Sequence, residues 1–204
     1  MTAFFFDQYS DYSNYLISLE LVAVFFGIFS VLLALKNNIL VYPTGLVSTL
    51  LYVYILFEFK LYGDLIINIY YSFMSVYGWF LWSKKKNGKD VLPITRLNNN
   101  EIFIASIIFM TTLLFVLFIY HIFDKFTDWS SMIDALTTGL FFVGMWLMAK
   151  RKIENWILWI VADVISIPLY FYKGLTFSSF QFLIFTIIAV YAYIEWKKYL
   201  QKEI

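Results

Sequence analysis

The chain has 204 residues, of which 62% are hydrophobic and 14% charged, with a formal net charge of +1. Soluble domains run at about 45–50% apolar, so this composition cannot cover a water-facing surface, and the near-neutral balance offers no basic stripe to nucleic acid. The lack of cysteine and the single histidine, His121, exclude disulfides, a thiol nucleophile and a His- or Cys-based metal site, and no cofactor is implied.

Residues 1–15 have no basic leader region and carry Asp7 and Asp11, so they read as an amphipathic lead-in at the outer interface rather than a cleaved signal. Seven apolar stretches follow, at 16–35, 39–58, 62–83, 101–123, 130–149, 155–173 and 176–196, each near the length that crosses a bilayer. The second places Tyr42, Gly45, Thr49 and Tyr52 on one helical face. The third adds Asp64, Asn68, Tyr71, Ser75 and Trp79, with Asp64 near the outer end, where it also serves as an N-terminal helix charge. The long break KKKNGKDVLPITRLNNN at 84–100 reads as a loop. His121 lies near the outer end of the fourth stretch, as an interfacial side chain. In the sixth, Trp156, Trp159, Asp163, Ser166 and Tyr170 share a face one residue after Asn155, and Pro168 predicts a kink. The seventh contributes Ser178, Gln181 and Tyr193, while Trp82, Trp196 and Tyr199, at span ends, read as interfacial belt residues.

Basic residues set the orientation. Lys36, Lys84, Lys85, Lys86, Lys89, Arg96, Lys150, Arg151, Lys152, Lys197, Lys198 and Lys202 fall on one side of seven spans, and only Lys60, Lys125 and Lys173 on the other. The richer side is cytoplasmic, which puts the N-terminus outside and the C-terminus inside.

The chain also repeats itself. VYGWFLWSK at 76–84 and VYAYIEWKK at 190–198 share the pattern Val-Tyr-x-x-x-x-Trp-x-Lys at an offset of 114, which also lays Lys36 on Lys150, Val47 on Val161 and Phe57 on Phe171. The predicted architecture is an all-α membrane protein of two parallel three-helix bundles joined by a linker helix: a first repeat at 16–83, a loop and linker helix at 84–129, a second repeat at 130–197 and a tail at 198–204. Under the offset, Tyr42, Gly45, Thr49 and Tyr52 correspond to Trp156, Trp159, Asp163 and Ser166.

Asp163 lies mid-span, where a carboxylate costs roughly 2.5–3.5 kcal/mol on translocon scales, so it calls for a wet cavity or a cation. With Trp156, Trp159, Asn68, Thr49, Tyr42, Trp79 and Gln181 it would line an aromatic cavity suited to a flat cationic ring. Asn68 and Gln181 serve equally well as interhelical hydrogen-bonding groups. No Gly-x-x-x-x-Gly-Lys loop is present, and no second membrane carboxylate reads as a proton-relay partner of Asp163. A membrane enzyme would need a nucleophile and base or a metal site that this inventory lacks, a retinal sensor would need a lysine inside span seven, and a sugar permease would have no use for Asp163.

The stretches ENWILWIVADVISIPLYFYKGL at 154–175, VYPTGLVSTLLYVYILFEFKLYGD at 41–64 and VYGWFLW at 76–82 resemble the nicotinamide riboside transporter family (PnuC), across all seven spans. The resemblance implies a SWEET-like three, one, three arrangement and facilitated diffusion of a small cationic vitamin precursor that is trapped inside by phosphorylation. It further implies that Trp156, Trp159, Asp163 and Asn68 face the cargo, and that the protein sits among membrane lipid as a homo-oligomer, a trimer. Relatives with Gln at the position of Asn68 or Asn at that of Asp163 leave thiamine open as an alternative cargo. Because the chain has no cysteine, single cysteines introduced at Asn14 and Gln201 are expected to label from opposite faces of intact cells; labelling from one face would remove the odd span count.

Overall fold

The computed structural model describes residues 14–58, 62–86, 89–90, 92–124, 129–172 and 176–202, and the predicted lead-in lies almost wholly outside them. Helices form at α1 (Asn14–Leu35), α2 (Val41–Glu58), α3 (Tyr62–Trp82), α4 (Asn99–Ile122), α5 (Trp129–Ala149), α6 (Glu154–Tyr172) and α7 (Thr176–Lys202). All seven are long and apolar enough to cross a membrane, as their composition predicts. α7 runs past the predicted end of its span at residue 196, since the Lys and Glu residues there are good helix formers and Lys198 bridges Glu195 at 2.7 Å.

The chain divides into two compact units, Met1–Val91 and Leu92–Ile204. In the first, α2 packs against both α1 and α3. Small residues make that approach possible, because lipid supplies no hydrophobic drive between helices and close van der Waals packing with interhelical hydrogen bonds must serve instead. Gly27 faces Ser48, whose hydroxyl donates to the carbonyl of Ala23 at 2.7 Å; Gly45 faces Ser30, whose hydroxyl donates to Val41 O at 2.8 Å. Gly78 lies directly under the Tyr42 ring.

In the second unit α6 packs against α5 and α7, and α4 packs against α5. Phe109 of α4 seats on Gly139 of α5. Covered from both sides, α5 has half of its apolar window buried, against 6% for α4, and forms the core of this unit.

The offset of 114 survives in three dimensions. α1 and α5 end in the same motif: Asn37 and Arg151 both take φ 51°, and their N–H groups donate to Ala34 O and Met148 O, each at 2.9 Å. The following N–H groups, of Asn38 and Lys152, reach Leu33 O at 3.0 Å and Leu147 O at 2.9 Å. This is the Schellman closure of a helix C-terminus, natural for Asn37 in the left-handed region and costly for Arg151. The aromatic ends repeat too. Tyr42 meets Trp82 edge-on at 5.0 Å and 89°, and Trp156 meets Trp196 at 5.5 Å and 88°. Trp82 and Trp196 are therefore not the predicted belt residues: they are 1% and 0% exposed, because each closes an aromatic pair at the end of its own unit.

The stretch after α3 is more ordered than a plain loop. β1 (Lys85–Lys86) and β2 (Lys89–Asp90) pair as a short antiparallel hairpin, and the segment from Leu92 docks on the α5–α6 corner. Thr95 N–H donates to Arg151 O at 3.1 Å and Ile153 N–H to Thr95 O at 3.0 Å. The buried Arg151 guanidinium donates to Leu92 O, and the Lys152 ammonium to Thr95 Oγ1 at 2.9 Å while bridging Glu101 at 2.8 Å. Leu97 N–H donates to Glu154 Oε2 at 3.1 Å, and Asn98 and Glu101 close a capping box at the start of α4. These bonds offset the strain at Arg151 and tie the N-termini of α4 and α6 together.

A methyl group at Gly78 would collide with the Tyr42 ring. Gly78→Ala is expected to destabilise the protein by about 1–3 kcal/mol, as overpacking does, read as a lowered melting temperature in detergent. Adding Tyr42→Leu should recover part of that loss; a Gly78→Ala protein that melts like the original would show that the first unit is looser than this packing requires.

Candidate functional site

The predicted face of α6 is present and faces the interior of the second unit. Asp163, at the middle of the helix, is 1% exposed, Ser166 one turn on is 0% and Trp156 two turns back is 2%. Among the described residues Asp163 Oδ1, Ser166 Oγ and Trp156 Nε1 have no hydrogen-bond partner. Three such atoms on one helix face are unusual where each unsatisfied polar group costs several kcal/mol.

Aromatic side chains from three helices gather beside this row. The Trp159 indole lies against Gly144 of α5, where an added methyl group would sit 3.3 Å from its Nε1. Phe141 of α5 is 5.3 Å from the Trp159 ring and stacks on Phe182 of α7 at 6.0 Å and 16°. Tyr170 of α6 stands 4.8 Å from Phe182. Ser179 Oγ–H donates to Ile167 O at 2.8 Å, bracing α7 against α6 just before Pro168.

The first unit, at corresponding positions, is arranged differently. Ser72 Oγ lies 2.9 Å from Thr49 Oγ1 and from Asn68 O, and Thr49 donates to Leu46 O at 3.2 Å. Under the offset Thr49 becomes Asp163 and Ser72 becomes Thr186. Thr186, however, donates to Phe182 O at 2.8 Å, so Asp163 lacks the hydroxyl partner that its counterpart has. The interior volume is exchanged as well: the pair Ser30 and Gly45 becomes Gly144 and Trp159, with the small residue moved to the other helix so that an indole fits.

Of the predicted lining residues, Trp156, Trp159 and Asp163 come together on α6. Trp156 packs edge-on against Trp196 at the end of the unit. Thr49 and Asn68 are half-buried in the first unit and joined through Ser72. Tyr42 is 1% exposed, enclosed by Trp82 and Gly78. Trp79 is 42% exposed beside Val76, Phe80 and Ser83 in a shallow groove on α3. Gln181 and Tyr193 are half-buried on α7, Tyr71 is half-buried and Ser75 buried on α3, and the side chains of Asp64 and Ser178 lie outside the described ones.

Sequence reasoning missed Phe141 and Phe182, because in a chain with 23 Phe residues another phenylalanine carries no signal. The repeat did mark them, since Phe141 aligns with Gly27 and Phe182 with Asn68. A second membrane carboxylate was also passed over. Asp134 lies inside α5 and accepts from the Tyr120 hydroxyl at 3.3 Å, a bond within the α4–α5 pair.

A sequence model described as the nicotinamide mononucleotide transporter matches residues 17–198. The nicotinamide riboside transporter PnuC of Escherichia coli K12 is 26% identical over 199 residues, covering 84% of this chain and 82% of that protein. The riboflavin/roseoflavin transporter RibM of Streptomyces davaonensis is 22% identical over 189 residues, covering 91% and 87%. The crystal structure of the vitamin B3 transporter PnuC superimposes with a TM-score of 0.69 at 25% identity, covering 90% of this chain and 82% of that one.

Proposed function

The chain belongs to the nicotinamide mononucleotide transporter family, and from that premise we propose that it carries nicotinamide riboside across the membrane by facilitated diffusion. The observation that carries this reading is Asp163: a buried carboxylate at mid-membrane with an unpartnered oxygen, one turn from Trp159 and its aromatic neighbours. A pyridinium ring supplies both the positive charge that Asp163 lacks and a flat face for stacking. Riboflavin, the cargo in the name of one relative, is neutral and gives Asp163 no charge to meet. Thiamine, with a flat cationic thiazolium, is the second reading.

Transport in this reading needs no energy source of its own, and phosphorylation inside the cell keeps the gradient running inward. The N-terminus faces outside and the C-terminus the cytoplasm, on the distribution of basic residues. A homo-oligomer, a trimer, belongs to the same reading and rests on the family resemblance.

Uptake of labelled nicotinamide riboside, thiamine and riboflavin into vesicles containing the purified protein tests the cargo. Selective uptake of the first is expected, and selective uptake of either of the others would reassign it. Asp163→Asn keeps the shape and removes the charge, so it should weaken binding of nicotinamide riboside by about tenfold or more relative to its neutral, reduced analogue. Unchanged discrimination would make Asp163 a structural residue.

Trp159 is the expected stacking partner. Trp159→Leu should lose roughly one to two decades of affinity, the equivalent of about 1–3 kcal/mol, and Trp159→Phe much less. Trp156→Leu, by contrast, breaks the pair with Trp196 and should lower the melting temperature more than the affinity. A Trp159→Leu protein that binds as the original does would place the stacking face elsewhere.

A further inference from the structure

Helix hydroxyls in this chain are generally closed onto carbonyls. Ser18, Ser72, Ser106, Thr137 and Thr186 each donate to the carbonyl four residues earlier, and Ser30, Ser48 and Ser179 donate to a carbonyl farther along the chain or on a neighbouring helix. That is how a hydroxyl is accommodated where no water is at hand. Ser166 departs from the pattern. It is 0% exposed, yet its Oγ makes no hydrogen bond among the described residues, although the carbonyl of Ala162 stands four residues behind it. Leaving a sealed hydroxyl unbonded is unfavourable, and the same helix face presents a second unbonded atom, Asp163 Oδ1, one turn away.

We propose that Ser166 is a specificity-determining residue that hydrogen-bonds a hydroxyl of the sugar portion of the cargo, one turn along α6 from Asp163. This rests on the cargo reading above and adds to it the part of the molecule that is not the ring. Three residues of helix rise about 4.5 Å, and residues three apart share a face. That separation is close to the width of one sugar ring joined directly to a charged ring nitrogen. A serine hydroxyl both donates and accepts, as a sugar hydroxyl does, whereas an ionised Asp163 only accepts. Charge is held at one position of the row and hydroxyls are read at the next. The first unit has Tyr52 at the position of Ser166, so this reading belongs to the second unit alone.

The selectivity follows from the same chemistry. A site built to bond a substrate hydroxyl rejects an analogue without it, because the protein group is then sealed and unpaired. Binding of nicotinamide riboside and of 1-methylnicotinamide, which keeps the cationic ring and lacks the sugar, would be measured by calorimetry on the full-length protein and on Ser166→Ala and Ser166→Cys. Ser166→Ala is expected to weaken nicotinamide riboside about tenfold and to change 1-methylnicotinamide by less than about twofold, with an unchanged melting temperature. Ser166→Cys keeps the volume with a weaker donor and should fall between, which preserves the test should the alanine protein fail to fold. Equal losses for both ligands, or no loss for either, would overturn the role of Ser166 and leave the cargo assignment standing. If the unsubstituted protein does not bind nicotinamide riboside, the cargo reading falls and the Ser166 proposal with it.

Discussion

The bilayer has no water to lend, so every polar group that the chain carries into it must find its partner in protein or cargo. That constraint explains more of this molecule than apolar packing does, since lipid is as good a neighbour for a leucine as another helix is. It explains why serines sit beside glycines in the first unit: Gly27 and Gly45 let the helices approach closely enough for Ser48 and Ser30 to reach backbone carbonyls. It also makes the exceptions informative. Asp163 Oδ1, Ser166 Oγ and Trp156 Nε1 are polar, sealed and unbonded on one face of one helix, in a fold that closes most of its described hydroxyls onto carbonyls.

The two units share features at the offset of 114 and differ in what fills the space between their helices. The two copies retain the same helix-ending turns at Asn37 and Arg151 and the same edge-on aromatic pairs. Those features recur at matching positions in the three repeated helices, α1 to α3 and α5 to α7. What changed lies between them. Moving the small residue from Gly45 to Gly144 admits Trp159, and replacing Thr49 by Asp163 while Thr186 bonds its own helix leaves the carboxylate open. A few substitutions thus turn a closed hydrogen-bonded interior into an aromatic one with charge to place.

The corner at the start of α6 shows the same economy. Arg151 stands in a backbone conformation that suits Asn37 better, and its side chain is among the most buried of the charged residues described. The strain persists because the surrounding bonds over-determine it: Leu92, Thr95, Arg96, Leu97 and Glu101 converge on residues 151–153 and on Glu154 at the helix start beyond them. In effect residues 92–98 are anchored to the start of the helix that carries Asp163, and a basic run that looks like simple membrane-side punctuation holds the second unit's own corner together.

Seven spans and most of their limits were legible in the sequence, because membrane thickness sets a narrow range of helix length, and the matched turns and aromatic pairs at the offset of 114 were legible as residues in register. Asp163 and Trp159 were legible for a related reason: a carboxylate or an indole in the middle of an apolar stretch has few explanations. The fates of Tyr42, Trp82, Trp196 and Trp79 were not, since an aromatic at a helix end costs little whether it faces lipid, a neighbouring ring or a ligand. Phe141 and Phe182 were invisible for the complementary reason, that phenylalanine is at home everywhere in such a chain. Which polar atoms are satisfied is a property of distances between helices, and no spacing along one helix contains them. Sequence alone therefore determined where the polar residues enter the membrane, and only the tertiary structure decided which of them are left open, because whether a group finds a partner on a neighbouring helix depends on how closely the helices approach.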